Sequence, residues 1–131
     1  MRRGLWGRLA MAAVAVLNLL PAVAVFSVDR AGAAYGIDPV DDEVRLIVRH
    51  RGVLFAILGA SLLLAVFRPR LRTAAGTANA VSMAGFVALV PFEQPVSPAL
   101  LRIARLDIAG LILLASAAVA LREREGEVRC G

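Results

Sequence analysis

Residues 44–72 read VRLIVRHRGVLFAILGASLLLAVFRPRLR. From Val53 to Phe67 no residue is charged, a run of about 22 Å at roughly 1.5 Å per residue. A hydrocarbon core of about 30 Å needs more than that. Extending the helix back through Leu46, Ile47 and Val48 supplies the missing length. Arg49, His50 and Arg51 then stand at the edge of the hydrocarbon, and Arg68-Pro69-Arg70 stops the helix at its other end. The stretch therefore predicts one membrane-crossing helix over about 43–67.

Composition extends this reading to the whole chain. With 131 residues and 60% hydrophobic content, a soluble fold could not hide its apolar side chains, so lipid must solvate much of the surface. The net charge of +5 is carried by arginine alone. These arginines flank apolar runs, which points to lipid headgroups and membrane orientation and away from nucleic acid. The single cysteine, Cys130, leaves no disulfide framework and no CxxC redox pair within the chain.

Three further spans follow from the same criteria, which makes the fold class all-α, a four-transmembrane-helix bundle in a single domain. Leu9 to Val28 is apolar except for Asn18, Pro21 and Ser27, and with Trp6 at the interface it predicts a first helix over about 6–28. Ala31-Gly32-Ala33 resembles a signal-peptide cleavage site. The length of the apolar run and the intervening Asp29 and Arg30 favour a retained helix. Residues 29–42 are expected to form a polar outer loop. Its acidic triplet Asp41-Asp42-Glu43 suits the positive end of the next helix, and Asp41 and Asp42 both come within helical reach of Arg45. A third helix is expected over about 74–92 and a fourth over about 99–121. A charged tail at 122–131 is expected to fray.

Orientation rests on arginine counts at the helix ends. Nine arginines fall on one side (2, 3, 8, 68, 70, 72, 122, 124 and 129) and six on the other, where seven of the ten acids offset them. This predicts a protein of the bacterial cytoplasmic membrane with both termini in the cytoplasm.

The candidate site residues form two layers. Arg51 precedes Arg68 by the same interval as Arg105 precedes Arg122, so Arg49-His50-Arg51 and Arg102-x-x-Arg105-x-Asp107 share an outer layer. Asp107 stands deepest, on the face of Gly110, Leu111 and Leu114, and is expected to pair with Arg49 or Arg51. An ionisable group at this depth is a functional candidate by default; the alternative is a structural salt bridge with snorkelling arginines. The second layer comprises Asn18, Ser61, Asn79 and Ser116, expected to hydrogen-bond between helices. Gly52-Ala56-Ala60 and Gly76-Ala80-Ala84 form small-residue ridges suited to close packing. His50 lacks companion ligands at helical spacing, so neither a metal nor a cofactor is expected.

Arg49-His50-Arg51-Gly52-x-Leu54-Phe55, Ala65-x-Phe67-Arg68-Pro69-x-Leu71-Arg72, Ser82-Met83 and Arg102-x-x-Arg105-x-Asp107 together resemble a family of small bacterial four-span membrane proteins with no established function. Relatives sometimes carry the label phosphopantetheine adenylyltransferase. That activity uses a histidine motif beside a nucleotide-binding strand, and neither is found in this sequence. The leading expectation is a non-enzymatic protein that packs against a membrane partner or its own copies, its outer Arg/His/Asp cluster contacting anionic headgroups. Two rival classes have distinct signatures. A water-filled cavity reaching Asp107 would favour a small transporter or channel subunit. An apolar lateral pocket beside His50 would favour an enzyme acting on a lipid or isoprenoid.

Overall fold

The structure, a computed structural model, describes residues 2–38, 41–93 and 95–130, with side chains only as far as Arg122. Pro39 of the expected outer loop, the side chain of Cys130 and the Gly131 end of the tail lie outside the described residues. Five α-helices appear: α1 (Arg2–Leu19), α2 (Val28–Tyr35), α3 (Asp42–Phe67), α4 (Arg72–Leu89) and α5 (Pro98–Cys130). Among the described residues there is no strand.

Prolines shape the helix ends. After Leu19 the chain tightens into a 3-10 segment, Leu20–Val25, with Pro21 in its first turn. Pro21 has no N–H to continue the α-helical ladder, and a short 3-10 stretch accommodates that loss. Arg68 before Pro69 is extended (φ −118°, ψ 96°), the conformation that a following proline imposes, and it separates α3 from the next span. With these segments included, four spans of 24 to 26 residues (Arg2–Val25, Asp42–Phe67, Pro69–Phe92 and Pro98–Arg122) are long and apolar enough to cross a membrane.

The spans alternate in direction and close a ring. α1 packs against α3 and α5, and α4 packs against the same two from the far side. Small residues make up much of the inner face of α1, with Met11 and Asn18 the larger side chains among them, while many large residues face outward. Along α1, Gly4, Gly7, Ala10, Val14 and Ala15 are buried, while Leu5, Trp6, Leu9 and Val16 are exposed. That inversion suits lipid, which solvates Leu as well as a protein core does, so helices gain by close backbone approach. A Cβ on Gly59 would lie 2.6 Å from Leu19 Cγ and 2.9 Å from the Ala15 carbonyl oxygen, and one on Gly7 would lie 2.7 Å from Leu121 Cγ.

Three expectations about elements need correction. The stretch 29–42 is not all loop, because α2 occupies Val28–Tyr35 and buries Val28, Ala31, Gly32 and Tyr35. These stand at i, i+3, i+4 and i+7, one face of a helix, and Gly36 ends it in the left-handed conformation (φ 68°). The fourth helix does not end at 121, because α5 continues through the charged stretch to Cys130, as the helix propensity of arginine and glutamate allows. The close approaches on α3 fall at Gly52 and Gly59, not along Gly52-Ala56-Ala60, since Ala60 is exposed. Gly76, on the second expected ridge, would find nothing within 4 Å of a Cβ.

Candidate functional site

Polar side chains gather at two levels inside the ring. At the α2 end, Val28, Ala31 and Tyr35 of α2 pack with Ala24 and Val48, and partly buried Leu100 and Ile103 join them. Asp29 of α2 meets Arg45 of α3 at 3.2 Å. The sequence placed Asp41 and Asp42 within reach of Arg45; the structure adds Asp29 as a partner from another helix. Asp41 occupies the N-cap of α3, yet its side chain makes no capping hydrogen bond. Folding α2 back over the bundle brings Asp29 to Arg45.

Beneath α2, the guanidinium of Arg51 lies among three aromatic rings. Its Cζ is 5.3 Å from the ring centroid of Tyr35, 5.2 Å from that of Phe55 and 5.2 Å from that of Phe86. The rings come from α2, α3 and α4, so one arginine ties three elements together. Each such contact contributes about 0.5–2 kcal/mol, the upper end applying where water is excluded. Arg51 Nε is buried and has no hydrogen-bond partner, so its stabilisation there comes from the rings and from charge.

Asp107 supplies the opposite charge. It is 8% exposed on the inner face of α5, with Gly110 and Leu114 also buried. A Cβ on Gly110 would lie 2.8 Å from Met83 Sδ, so this glycine brings α4 close to α5. Arg51 is the cation that acts on Asp107 electrostatically. Among the described residues, however, Asp107 forms no direct ion pair with Arg51 or Arg49, contrary to expectation. The aromatic rings hold the Arg51 head, and Arg49 faces outward.

The expected outer cluster thus divides. Arg51 and Asp107 are inside the bundle, whereas Arg49, His50, Arg102 and Arg105 are exposed around it. Sequence reasoning missed Tyr35, Phe55 and Phe86 as neighbours of Arg51. Phe55 was accessible in principle, standing at i+4 from Arg51 on one helix. The other two come from distant elements, and nothing local marks them.

The second level crosses the bundle on its diagonal. Asn18 Nδ2 of α1 donates to Asn79 Oδ1 of α4 at 3.0 Å and to the Val14 carbonyl at 3.3 Å. Asn79 Nδ2 donates to the Ala75 carbonyl at 2.8 Å and to the Leu58 carbonyl of α3 at 3.1 Å. Asn79 is 0% exposed, so this network is dry and joins three helices. Ser61 and Ser116 do not bridge helices as expected. Each hydroxyl donates to the carbonyl three residues back in its own helix, Leu58 at 2.7 Å and Leu113 at 2.8 Å. In lipid a serine that meets no partner across the interface satisfies itself this way. Ser61 still shares the Leu58 carbonyl with Asn79.

A cavity of about 420 Å³ opens at the opposite end, between α4 and α5. Gly76, Thr77 and Ala80 line one wall and Leu114, Ala115 and Ala118 the other, with Arg72 and Arg122 also lining it. Neither Asp107 nor His50 lines this cavity. No group of three or more potential metal ligands occurs among the described residues.

Four membrane-length apolar helices around buried polar layers define the class: an all-α, multi-pass membrane bundle. Comparison with family models, curated proteins and solved structures gives no match.

Proposed function

We propose that this is a non-enzymatic protein of the bacterial cytoplasmic membrane, both termini cytoplasmic, that works as a structural and interaction module. At its α2 end, Arg49, Arg102, Arg105 and His50 contact anionic headgroups, and the outward apolar faces take a membrane partner or a further copy. The observation that carries this reading is the division of the outer cluster. Arg51 and Asp107 turn inward and hold helices, while the remaining cations at that level turn outward. The buried amides support it too, because Asn18 and Asn79 are engaged with each other and with backbone carbonyls. The arginine bias toward the other end supports the assigned orientation.

The test is native mass spectrometry of the full chain in mild detergent with phosphatidylglycerol. A triple variant, Arg49→Gln, Arg102→Gln and Arg105→Gln, should retain fewer lipids, with about fivefold weaker binding per arginine removed. Asp107→Ala should lower stability and leave lipid retention in the folded fraction unchanged. Equal retention by the wild type and the triple variant would overturn the reading.

A further inference from the structure

We infer that a bound water molecule joins Arg51 to Asp107 across the axis of the bundle, accepting from the guanidinium and donating to the carboxylate. The site involves the two inward residues alone and stands apart from the lipid contacts of the outward arginines.

Its position follows from which helices carry the pair. Each residue stands nine positions beyond the first residue of its helix, Asp42 of α3 or Pro98 of α5, about 14 Å along at 1.5 Å per residue. α3 and α5 run in the same direction, so the two residues share a level. They also occupy opposite corners of the ring, because α1 and α4 each pack against both. On the other diagonal, Asn18 and Asn79 bond directly. Arg51 and Asp107 do not: Arg51 acts on Asp107 through charge, and no N–O pair between them lies within 4.0 Å.

Hydrogen bonding is what the pair lacks. Among the described residues neither side chain has a hydrogen-bond partner, although Asp107 is only 8% exposed. Of their polar atoms, Arg51 Nε is the one sealed off without a partner. The Nη nitrogens and the carboxylate oxygens keep room for a contact the size of water. A carboxylate that bonds to nothing inside a membrane bundle is costly, and ordered water satisfies such groups where no protein donor reaches them. The walls here are mainly apolar. Toward α2, Val48 packs with Tyr35, whose ring lies against Arg51. Toward the asparagines, Met83 and Leu17 close around Gly110, at 2.8 Å and 3.4 Å from a Cβ placed there.

Charge and reach specify the occupant. One cation and one carboxylate balance, and Arg49, His50, Arg102 and Arg105 are exposed. An added ion would leave a net charge inside the bundle, so the guest is neutral and carries both an acceptor and a donor. Two hydrogen bonds of about 2.8 Å meeting at one oxygen span roughly 4.5–5 Å, just beyond direct pairing. Water meets each condition. Met83, 1% exposed and one turn from Asn79 on α4, separates this level from the amide layer. The water is therefore an enclosed clamp, not one step of a path across the membrane.

The test is water-selective NOE spectroscopy of the full chain in deuterated detergent, labelled with ¹³C at the methyl groups of Met, Leu and Val. Met83 reports the site, while Val14 and Leu62, both 0% exposed, report the core beyond the asparagines. In the wild type a water cross-peak is expected at the Met83 methyl and none at Val14 or Leu62. The double variant Arg51→Leu with Asp107→Leu, its fold checked by unchanged Val14 and Leu62 shifts, should lose the Met83 cross-peak. A wild-type Met83 as dry as Val14 would overturn the inference with no substitution needed. So would a Met83 cross-peak undiminished in the folded double variant. Equal cross-peaks at Met83, Val14 and Leu62 would overturn it too, because water would then run along the bundle. Lipid retention by the outward arginines is read separately, so failure here leaves that reading untouched.

Discussion

Arg51 is stabilised by its setting more than by any single bond. Three rings surround its guanidinium and Asp107 provides the opposing charge. Arg51→Met should therefore be destabilising, since it removes the cation from the ring cage and leaves Asp107 without its opposing charge. Arg51→Met combined with Asp107→Leu should recover most of that loss, and denaturation in mixed micelles measures both. Arg51→Lys is expected to fall between, because an ammonium keeps the charge but not the planar stacking. The asparagines invite the same treatment. Asn79→Leu should cost about 1–2 kcal/mol, and a double-mutant cycle with Asn18→Leu should give a coupling near 0.6 kcal/mol. The sequence marked Asn18, Ser61, Asn79 and Ser116 as intramembrane polar residues and Asp107 as facing the interior; both asparagines and Asp107 are buried, and the two serines are half-buried. It could not distinguish inward arginines from outward ones, because a long side chain snorkels in either direction.

At the scale of elements, glycines separate tight contacts from open ones. Gly59→Ala places its Cβ 2.9 Å from the Ala15 backbone oxygen, which cannot move aside, so a loss of about 1–3 kcal/mol is expected. Gly76→Ala meets nothing and should leave stability unchanged or slightly raised. The two variants can be compared in one thermal melt. α2 presents a similar contrast. Its ion pair uses an Asp29 side chain that is 80% exposed, and Asp29→Asn should cost less than about 1 kcal/mol. Tyr35→Ala removes a buried ring from both the helix and the Arg51 cage, and should speed amide exchange over residues 31–36. The four spans were legible because length and hydropathy fix them. α2 was hidden because its eight residues are rich in alanine and glycine, and the A-x-A reading of 31–33 competed for them.

For the whole molecule, one residue near the C-terminus gives access to orientation. Cys130 is the only cysteine, so a membrane-impermeant maleimide reports the C-terminal side without any substitution. Labelling is expected only after the cytoplasmic face is exposed, and labelling of intact spheroplasts would reverse the assigned topology. The ring of alternating helices was readable from four spans and short connections, but its diagonal was not, because nothing in α1 indicates which helix will face Asn18. That diagonal bears on biogenesis. Asn18 and Asn79 are separated by 61 residues, so the first helix leaves the ribosome about 3–12 s before its partner, at roughly 5–20 residues per second. Through that interval Asn18 has only the Val14 carbonyl of its own helix to bond. The Asn18–Asn79 bond can therefore close only once α4 has been made, so the diagonal of the bundle is set after α1 and α3 are already synthesised.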